Sequence, residues 1–462
     1  MKRPCTTESS SPTAPKDTAR PGLPHARPWA VALAAALCVG ASAAPAAAVA
    51  PQEVSRGVEI PEFYDPPSEL PDENGALVRT EPLPLGLSFP GLDGKPLPGE
   101  ATRLMYKSTD AGGGPVGVTG AYIEPSKEWK GDGPRPLIAV ASGTMGQGDQ
   151  CAPSLALQHP LTIGKGTISV GYEDLAIYRL LSAGIAVVVT DYPGLGATDR
   201  LHTYVNRLDE GHAVLDAVRA ARHLEGTSLT PESRVGLYGY SQGGGATAAA
   251  SELQPDYAPD VDLAGTYSGA PPADLTEVMK GIDGSSLAGA LGWSINGFVQ
   301  TDPELREIVD AHINEDGAEA LEDLSTMCIG DALFGYGFSK SDNWTKDGSS
   351  LSDIVAGEPK LQSFLDKQLI GKSKPAGPVR LATGVKDDIV PHGQARTLAE
   401  SWCAKDADVE YVPVPGPNIG DKLGGNHILP LLTDQGSAIS WLKDRVSGKP
   451  SESNCKTLPD QP

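Results

Sequence analysis

Apolar residues in the middle of the chain form short continuous runs, and stretches with helical spacing separate these runs. The continuous runs occupy residues 136–142, 185–191, 234–239, 262–269, 378–384 and 409–414. Runs that are apolar throughout, rather than at every second position, indicate strands covered on both faces. The helical stretches occupy residues 173–184, 207–224 and 246–253. This alternation predicts a mostly parallel sheet with right-handed crossovers and flanking helices.

A hairpin and an extended arm are predicted upstream of this alternation. Residues 103–109 and 116–125 have strand composition and are joined by a Gly-rich turn, so we expect them to pair antiparallel at the start of the core. Residues 51–101 are rich in Pro, Gly and acidic side chains and show no sustained period. Such a segment is typical of an arm that lies over a domain.

The chain between residues 271 and 375 interrupts the strand pattern. Its helical stretches occupy residues 275–282, 304–313 and 360–370. An independent second domain would also interrupt the strands, but the length of the segment and the return of the strand pattern after it favour a helical cap over the sheet edge. The predicted organisation is a core of residues 102–270 and 376–450, a cap of residues 271–375 and a C-terminal tail of residues 451–462.

The first fifty residues have the pattern of a secretory signal peptide. Basic residues precede an uncharged, Ala-rich stretch at residues 29–44, and small residues follow it. A membrane anchor is the alternative, but the stretch falls short of a span and Pro45 ends it. We therefore expect residues 1–50 to be a signal peptide cleaved between Ala43 and Ala50, and the mature protein to be secreted without a stable membrane anchor.

The net charge restricts the possible binding partners, and the cysteine content indicates disulfides. The formal net charge is −22, and an acidic surface of this kind repels nucleic acid and anionic lipid headgroups. Four of the six cysteines lie beyond residue 50, and an even number in an exported protein implies two disulfides with three pairings open. Because no C-x-x-C spacing or other ligand motif is present, we expect no metal and no cofactor. The sequence leaves the oligomeric state open.

The first sign of catalytic chemistry is the motif Gly239-Tyr240-Ser241-Gln242-Gly243, which lies between a predicted strand and a predicted helix of small residues. A G-x-S-x-G motif alone is weak, but in a strand–turn–helix context it is typical of a nucleophile elbow. The glycines are then required because side chains at these positions would collide with the neighbouring strand and helix. The alternative is a tight structural turn that contains a serine. We predict that Ser241 is a nucleophile.

A serine hydroxyl needs a base, and the base needs an acid that orients it. In this arrangement the acid and then the histidine follow the serine in the chain. Asp387 lies just after the strand at 378–384 and is preferred over Asp388, since the first acid of such a stretch normally carries the role. His427 lies in what we expect to be a flexible Gly-rich loop, and we predict that it is the base.

The other histidines are given structural roles. His392 is too close to Asp387 in the chain and is expected to open a helix as a surface or capping residue. His202, His212 and His223 precede the serine and are expected to be surface histidines on helices.

An oxyanion site needs two backbone N–H donors. The residue after the nucleophile, Gln242, provides the first. The second is expected from residues 142–146, where we favour Thr144 over Gly143 or Met145; the alternative is a plain glycine loop. The apolar faces of the cap helices, which carry Met279 and Ile282 or Phe364, Leu369 and Ile370, are expected to line the substrate pocket, and the sequence identifies no other substrate-binding residue.

Together these segments resemble the secretory lipase family, the lipase A-like branch of the α/β-hydrolases. The segments that carry the resemblance are EFYDPP at residues 62–67, QCAPS at 150–154, DYPGLG at 191–196, EGHAVLDAVRAA at 210–221, GYSQGG at 239–244, KDDIVP at 386–391 and GGNH at 424–427. The resemblance implies an α/β-hydrolase fold and a secreted serine esterase or lipase that acts on acyl esters, with a cap that shapes the acyl pocket. It also implies that Cys151 pairs with Cys328 and Cys403 with Cys455.

Other functions remain to be weighed against a lipase. A soluble-ester carboxylesterase or an acyltransferase would use the same residues. A secreted aminopeptidase shares the fold and the triad but would need carboxylates in the cap to bind the substrate amine. A hydrolase-like binding protein without activity is disfavoured because all three triad positions carry reactive side chains. For the lipase, the expected partner is an acyl ester or lipid, with transient contact at a lipid surface.

Overall fold

The computed structural model describes residues 53–91, 96–164 and 166–462. The predicted signal peptide and its cleavage site lie outside these residues. Among the described residues, no helix has the length and apolar character needed to cross a bilayer.

A nine-stranded mixed sheet forms the centre of the fold. Its strands are β1 (Leu77–Leu83), β2 (Gly99–Thr109), β3 (Pro115–Pro125), β4 (Leu137–Ala141), β5 (Ala186–Thr190), β6 (Val235–Tyr240), β7 (Leu263–Gly269), β8 (Val379–Gly384) and β9 (Val409–Val414). Across the sheet they run in the order β9-β8-β7-β6-β4-β5-β3-β2-β1. Strands β4 to β9 pair in parallel, and β1, β2 and β3 extend the sheet antiparallel from β5. The predicted strands and hairpin are confirmed.

Helices cover both faces of this sheet and fill the interruption between β7 and β8. They are α1 (Pro153–Gln158), α2 (Asp174–Ser182), α3 (Arg207–His223), α4 (Gln242–Tyr257), α5 (Leu275–Ile282), α6 (Ala290–Thr301), α7 (Leu305–His312), α8 (Glu315–Leu324), α9 (Ile329–Gly335), α10 (Leu351–Gly357), α11 (Pro359–Gln368), α12 (His392–Cys403) and α13 (Gly425–Val446). On one face α2 and α13 bury apolar residues against the strands, and on the other face α3, α4 and α12 do so. This two-sided burial explains why the central strands are apolar throughout.

The segment between β7 and β8 is helical, with α5, α7 and α11 at the three stretches that the sequence indicates. These helices and their neighbours have an apolar cluster of their own, in which Val278, Trp293 and Leu324 are buried. Ile389 and Val390 from the loop after β8 pack into the same cluster. The helices therefore contact the core beside Asp387, while the limits 271–375 of a cap remain a prediction.

The predicted arm does more than lie over the core. Its residues 77–83 form β1, which pairs with β2 along the sheet edge, and Tyr64 is fully buried. Among the described residues, three two-stranded ribbons lie outside the main sheet: Val54–Ser55 with Val58–Glu59, Phe89–Pro90 with Pro96–Leu97, and Leu161–Gly164 with Thr167–Val170.

Two disulfides join distant parts of the chain. Cys151 pairs with Cys328, which links the segment before α1 to the start of α9, with Cα atoms 5.4 Å apart. Cys403 pairs with Cys455, which ties the C-terminal tail to the end of α12, with Cα atoms 5.5 Å apart. Both pairings are the ones that the family resemblance implies.

Candidate active site

Ser241 lies in a sharp turn between β6 and α4. Its φ is +57° and its ψ is −125°, a region that residues with a Cβ rarely adopt. The strain is maintained by packing: a Cβ on Gly239 would overlap the carbonyl oxygen of Gly243, and a Cβ on Gly243 would overlap that of Ala141 in β4. The Ser241 N–H donates to the Gly269 carbonyl at 2.8 Å. The turn therefore holds the hydroxyl away from the backbone at the end of the sheet.

Ser241, His427 and Asp387 form a continuous hydrogen-bond chain. His427 Nε2 lies 2.9 Å from Ser241 Oγ, and His427 Nδ1 lies 2.7 Å from Asp387 Oδ2. The Asp387 side chain has no exposed surface, and its Oδ1 accepts the backbone N–H groups of Ile389 and Val390 at 3.0 and 2.8 Å. A carboxylate in this position favours the imidazole tautomer with the proton on Nδ1, which leaves the Nε2 lone pair directed at the serine hydroxyl.

His427 lies on a helix and not in a flexible loop. It is the third residue of α13, whose N-cap Gly424 has a left-handed φ of +81°. The Tyr240 hydroxyl donates to the His427 carbonyl at 2.7 Å. The sequence interpretation was wrong here because Gly424 and Gly425 were taken as part of a flexible loop, whereas Gly424 is the N-cap and Gly425 the first residue of the helix.

Asp388 has a different task from Asp387. Its Oδ2 accepts the Gly424 N–H at 2.9 Å, and its Oδ1 accepts the His427 N–H at 3.1 Å. A carboxylate that accepts unpaired N–H groups at a helix N-terminus stabilises that terminus. Asp388 therefore anchors the helix turn that carries the imidazole, a role that sequence reasoning missed. The signal for it was the pair of adjacent acids at the end of a strand.

The structure confirms the expected positions of some of the remaining histidines and contradicts others. His392 is the first residue of α12, as expected, and its Nε2 contacts the Tyr411 hydroxyl at 2.9 Å. The expectation of surface histidines on helices was wrong for His202, which is fully buried in the loop after β5, and burial lowers its pKa to about 4. His212 lies on α3 but is also largely buried, whereas His223, the last residue of that helix, is exposed as expected.

The residues proposed for the oxyanion site lie at the start of α4 and after β4. Gln242 is the first residue of α4, where backbone N–H groups have no intrahelical acceptor. The Gly143 N–H donates to Glu173 Oε1 at 2.9 Å and is therefore occupied, and burial raises the pKa of Glu173 to about 7. Within the described part of the chain, the Thr144 N–H has no hydrogen-bond acceptor. This difference favours Thr144 over Gly143 as the second donor.

An apolar cavity of about 110 Å³ lies among the helices between β7 and β8. Of the expected wall residues, Met279, Ile282 and Phe364 line it, but Leu369 and Ile370 do not, because Leu369 follows the end of α11 and Ile370 packs against α12. The polar side chains in its wall are those of Ser294 and His312. The other residues that line it are Val205, Leu275, Val278, Leu291, Ile295, Phe298, Val299, Leu305, Ile308, Val309, Ile313, Leu351, Ile354, Val355, Leu361 and Leu365. Its wall residues Val278 and Ile282 belong to the apolar cluster that contains Ile389 and Val390.

Comparison with known proteins gives consistent similarities. A family model described as secretory lipase matches residues 157–454. A probable inactive lipase of Mycobacterium tuberculosis is 29% identical over 84% of this chain and 82% of its own length. A secreted triacylglycerol lipase of Malassezia restricta is 26% identical over 84% of this chain and 79% of its own.

Solved structures agree with the fold. Candida antarctica lipase A in its closed state superposes with a TM-score of 0.70 at 20% identity, covering 85% of this chain and 87% of that one. The rice cell wall degrading esterase from Xanthomonas oryzae, in a ligand-bound form, gives 0.64 at 21% identity, covering 80% and 97%. These similarities confirm the predicted α/β-hydrolase fold class.

Proposed function

The chain belongs to the secretory lipase family, and we propose that it is a secreted enzyme that hydrolyses carboxylic esters of lipids through an acyl-enzyme formed on Ser241. The observation that carries this proposal is the chain of contacts from Ser241 through His427 to Asp387, at 2.9 and 2.7 Å. Secretion rests on the family and on the signal-peptide pattern of residues 1–50.

The reaction follows from the protonation states that this geometry favours. His427 Nε2 takes the proton from Ser241 as the oxygen bonds to the ester carbonyl carbon. The imidazolium formed is stabilised by the buried carboxylate of Asp387, and it returns the proton to the leaving alcohol as the tetrahedral intermediate collapses. Water activated by the same imidazole then attacks the acyl-enzyme, which releases the acid and restores the serine.

The negative charge of the tetrahedral intermediate requires donors that are already in place. The Gln242 N–H, at the N-terminus of α4, is the first donor, and the helix dipole adds positive potential there. The Thr144 N–H is the second. The side chains of Gln242 and Thr144 are buried, so their backbone N–H groups are held in place and need not reorganise during the reaction.

The acyl chain of the substrate occupies the apolar cavity among the cap helices. Its wall is built almost entirely from aliphatic and aromatic side chains, which suits a hydrocarbon and offers little to a charged group. None of the residues that line this cavity is a carboxylate, so an aminopeptidase lacks the anion it would need for the substrate amine. The turn after Asp387 packs in the same apolar cluster as the wall residues Val278 and Ile282, which supports this assignment of the acyl pocket.

Contact with a lipid surface involves exposed apolar residues around His427. Leu423 and Ile428 flank the histidine in the chain and are exposed. Phe338 is also exposed, and its N–H donates to the Ser285 carbonyl, while the N–H of the next residue, Ser286, donates to the carbonyl of Lys422 beside Leu423. Because the chain is strongly acidic, the surface is one of neutral lipid. Leu423→Ser should weaken adsorption to a triacylglycerol emulsion while Leu87→Ser, at an exposed leucine of the arm, should not; equal adsorption of both variants would refute this contact.

The function is tested by hydrolysis of chromogenic acyl esters. Ser241→Ala should lower kcat by at least about a thousandfold, as in other serine triads, while the circular dichroism spectrum stays unchanged. Ser251→Ala is the matched control, since Ser251 lies on the same helix and its hydroxyl donates to the Ala248 carbonyl. Hydrolysis that survives in Ser241→Ala, or is lost equally in Ser251→Ala, would exclude the proposed nucleophile.

A further inference from the structure

His202 lies in the loop between β5 and α3, with no exposed surface. Its Nδ1 is 3.0 Å from the Pro193 carbonyl oxygen, which can only accept, so Nδ1 carries the proton. Nε2 is then an acceptor, and it lies 3.1 Å from Nε2 of the Gln242 side chain. The imidazole is therefore neutral with a defined tautomer, consistent with the low pKa that burial gives it.

The Gln242 side chain is held on two sides. Its Nε2 donates to Glu210 Oε1 on α3 at 2.7 Å and to His202 at 3.1 Å, so that both amide protons have acceptors. Glu210 Oε1 also accepts the Val205 N–H at 2.9 Å. Gln242 is the residue whose backbone N–H is the first proposed oxyanion donor, and its side chain is thus locked against α3 and the His202 loop.

The same imidazole also contacts the residues that hold the second donor. Tyr192 stacks on the His202 ring with centroids 5.9 Å apart, and its hydroxyl donates to the Ser142 carbonyl at 2.8 Å. Tyr204 packs edge-on at 6.0 Å, and its hydroxyl contacts Thr144 Oγ1 at 2.7 Å. The two tyrosines therefore connect His202 to the loop of residues 142–144.

We propose that His202 is a positioning residue that fixes the two backbone donors of the oxyanion site, at Gln242 and Thr144, relative to each other. One side chain reaches Gln242 by a hydrogen bond and reaches the segment containing Thr144 through two aromatic contacts. This inference rests on the proposed function, because it assigns a role only if an oxyanion forms at this site.

Histidine suits this position for a reason that other residues do not share. Its flat ring stacks on Tyr192 while its two nitrogens make one donated and one accepted hydrogen bond in opposite directions. A phenyl ring keeps the stacking and loses both hydrogen bonds. A glutamine keeps an acceptor near the position of Nε2 and loses the ring.

The test compares His202→Phe, His202→Gln and a control with the same change, His212→Phe. His212 is a good match because it is also largely buried, stacks on a tyrosine ring (Tyr257) with centroids 3.7 Å apart and bonds a backbone carbonyl, that of Thr109. The readouts are kcat and KM for a chromogenic ester, and Ki for a trifluoromethyl ketone with the same acyl chain. That ketone forms a tetrahedral oxyanion on the nucleophile, whereas the corresponding secondary alcohol does not.

His202→Phe should lower kcat about 10- to 100-fold, which is less than the loss of a whole oxyanion donor, and should leave KM within about threefold. Ki of the ketone should rise by the same factor as kcat falls, and binding of the alcohol should not change. His202→Gln should recover a large part of the loss, and His212→Phe should keep kcat within about twofold of wild type.

The inference is overturned if His202→Phe retains kcat, if its loss appears in KM, if Ki of the ketone stays constant, or if His212→Phe loses as much. Should His202→Phe not fold, Tyr204→Phe decides, since it removes only the hydroxyl on Thr144; an unchanged kcat and Ki in that variant would also overturn the inference. Ser241→Ala distinguishes a failure of this inference from a failure of the proposed function. If Ser241→Ala is inactive while His202→Phe matches wild type, the inference alone fails, and if Ser241→Ala stays active the proposed function fails.

Discussion

Hydrolysis of long acyl esters should depend on the cavity among the helices between β7 and β8, and Met279→Lys is the change that tests this prediction. Met279 is half-buried on α5 and lines the cavity. A lysine there keeps its ammonium group in water and draws water into the cavity mouth, because an unpaired buried charge is strongly unfavourable. Acyl chains that reach the cavity then lose part of their burial, whereas an acetyl group does not reach it.

The size of the effect follows from the number of CH₂ groups that lose burial. Each buried CH₂ group contributes about 0.8 kcal/mol, and one side chain of this length covers roughly two of them, so the loss is about 1.6 kcal/mol for a decanoate ester. That corresponds to about a 15-fold decrease in kcat/KM, since 1.4 kcal/mol is a factor of ten.

The assay measures kcat/KM for acetate, butyrate and decanoate esters of one chromogenic alcohol. Leu369→Lys is the matched control, because Leu369 is also half-buried and lies directly after α11 but does not line the cavity. It should leave the ratio of decanoate to acetate unchanged. Equal losses for all three esters in folded Met279→Lys, or the same change of ratio in Leu369→Lys, would refute the assignment of the acyl pocket.

Three further predictions concern the groups around the site. Asp387→Asn should lower kcat by about 10⁴-fold because it reverses the tautomer of His427. Asp388→Asn should lower kcat far less and should lower Tm, since it disturbs only the helix start, and equal losses in kcat would mean that the acid is misassigned. Because burial raises the pKa of Glu173 from 4.5 to about 7, the folded protein holds an extra proton between these values and its free energy of unfolding falls as the pH rises through them. Glu173→Gln should therefore raise Tm relative to wild type at pH 8, by the equivalent of at most about 3 kcal/mol, with little difference at pH 4; an equal difference at both pH values would contradict this. Peptide mapping without reduction should recover both disulfides as linked peptides, and four free thiols in the mature chain would exclude them.

The sheet could be predicted from the sequence because burial on both faces leaves a simple signal. Strand β4 is apolar at every position and β5 at every position except Thr190, and each strand begins and ends one residue inside its predicted limits. β1 was not found, since it lies at the edge of the sheet, contains Pro82 and alternates polar with half-buried residues. An edge strand of this kind has the composition of an extended arm.

The sequence identified some residues of the candidate site and missed the role of others. The elbow was recognisable because Gly239 and Gly243 are required by close backbone contacts that any residue with a Cβ would disrupt. Pattern alone could not place His202, because a histidine that is neutral and buried has the same sequence signature as one on the surface. Its role depends on contacts from the loop after β4 and from α4, and residues so far apart in the chain are brought together only by the fold.

Intact-protein mass spectrometry and peptide mapping after treatment with a fluorophosphonate test the central claim most directly. This reagent reacts only with a serine whose hydroxyl is activated by a base, and it separates a working hydrolase from a family member without activity, such as the probable inactive lipase of Mycobacterium tuberculosis among the relatives. We predict one phosphonyl group per chain, located on the peptide that contains Ser241, with loss of ester hydrolysis in proportion to labelling and no label on Ser241→Ala. An unlabelled wild-type protein, or a label on another residue that abolishes hydrolysis, would contradict it.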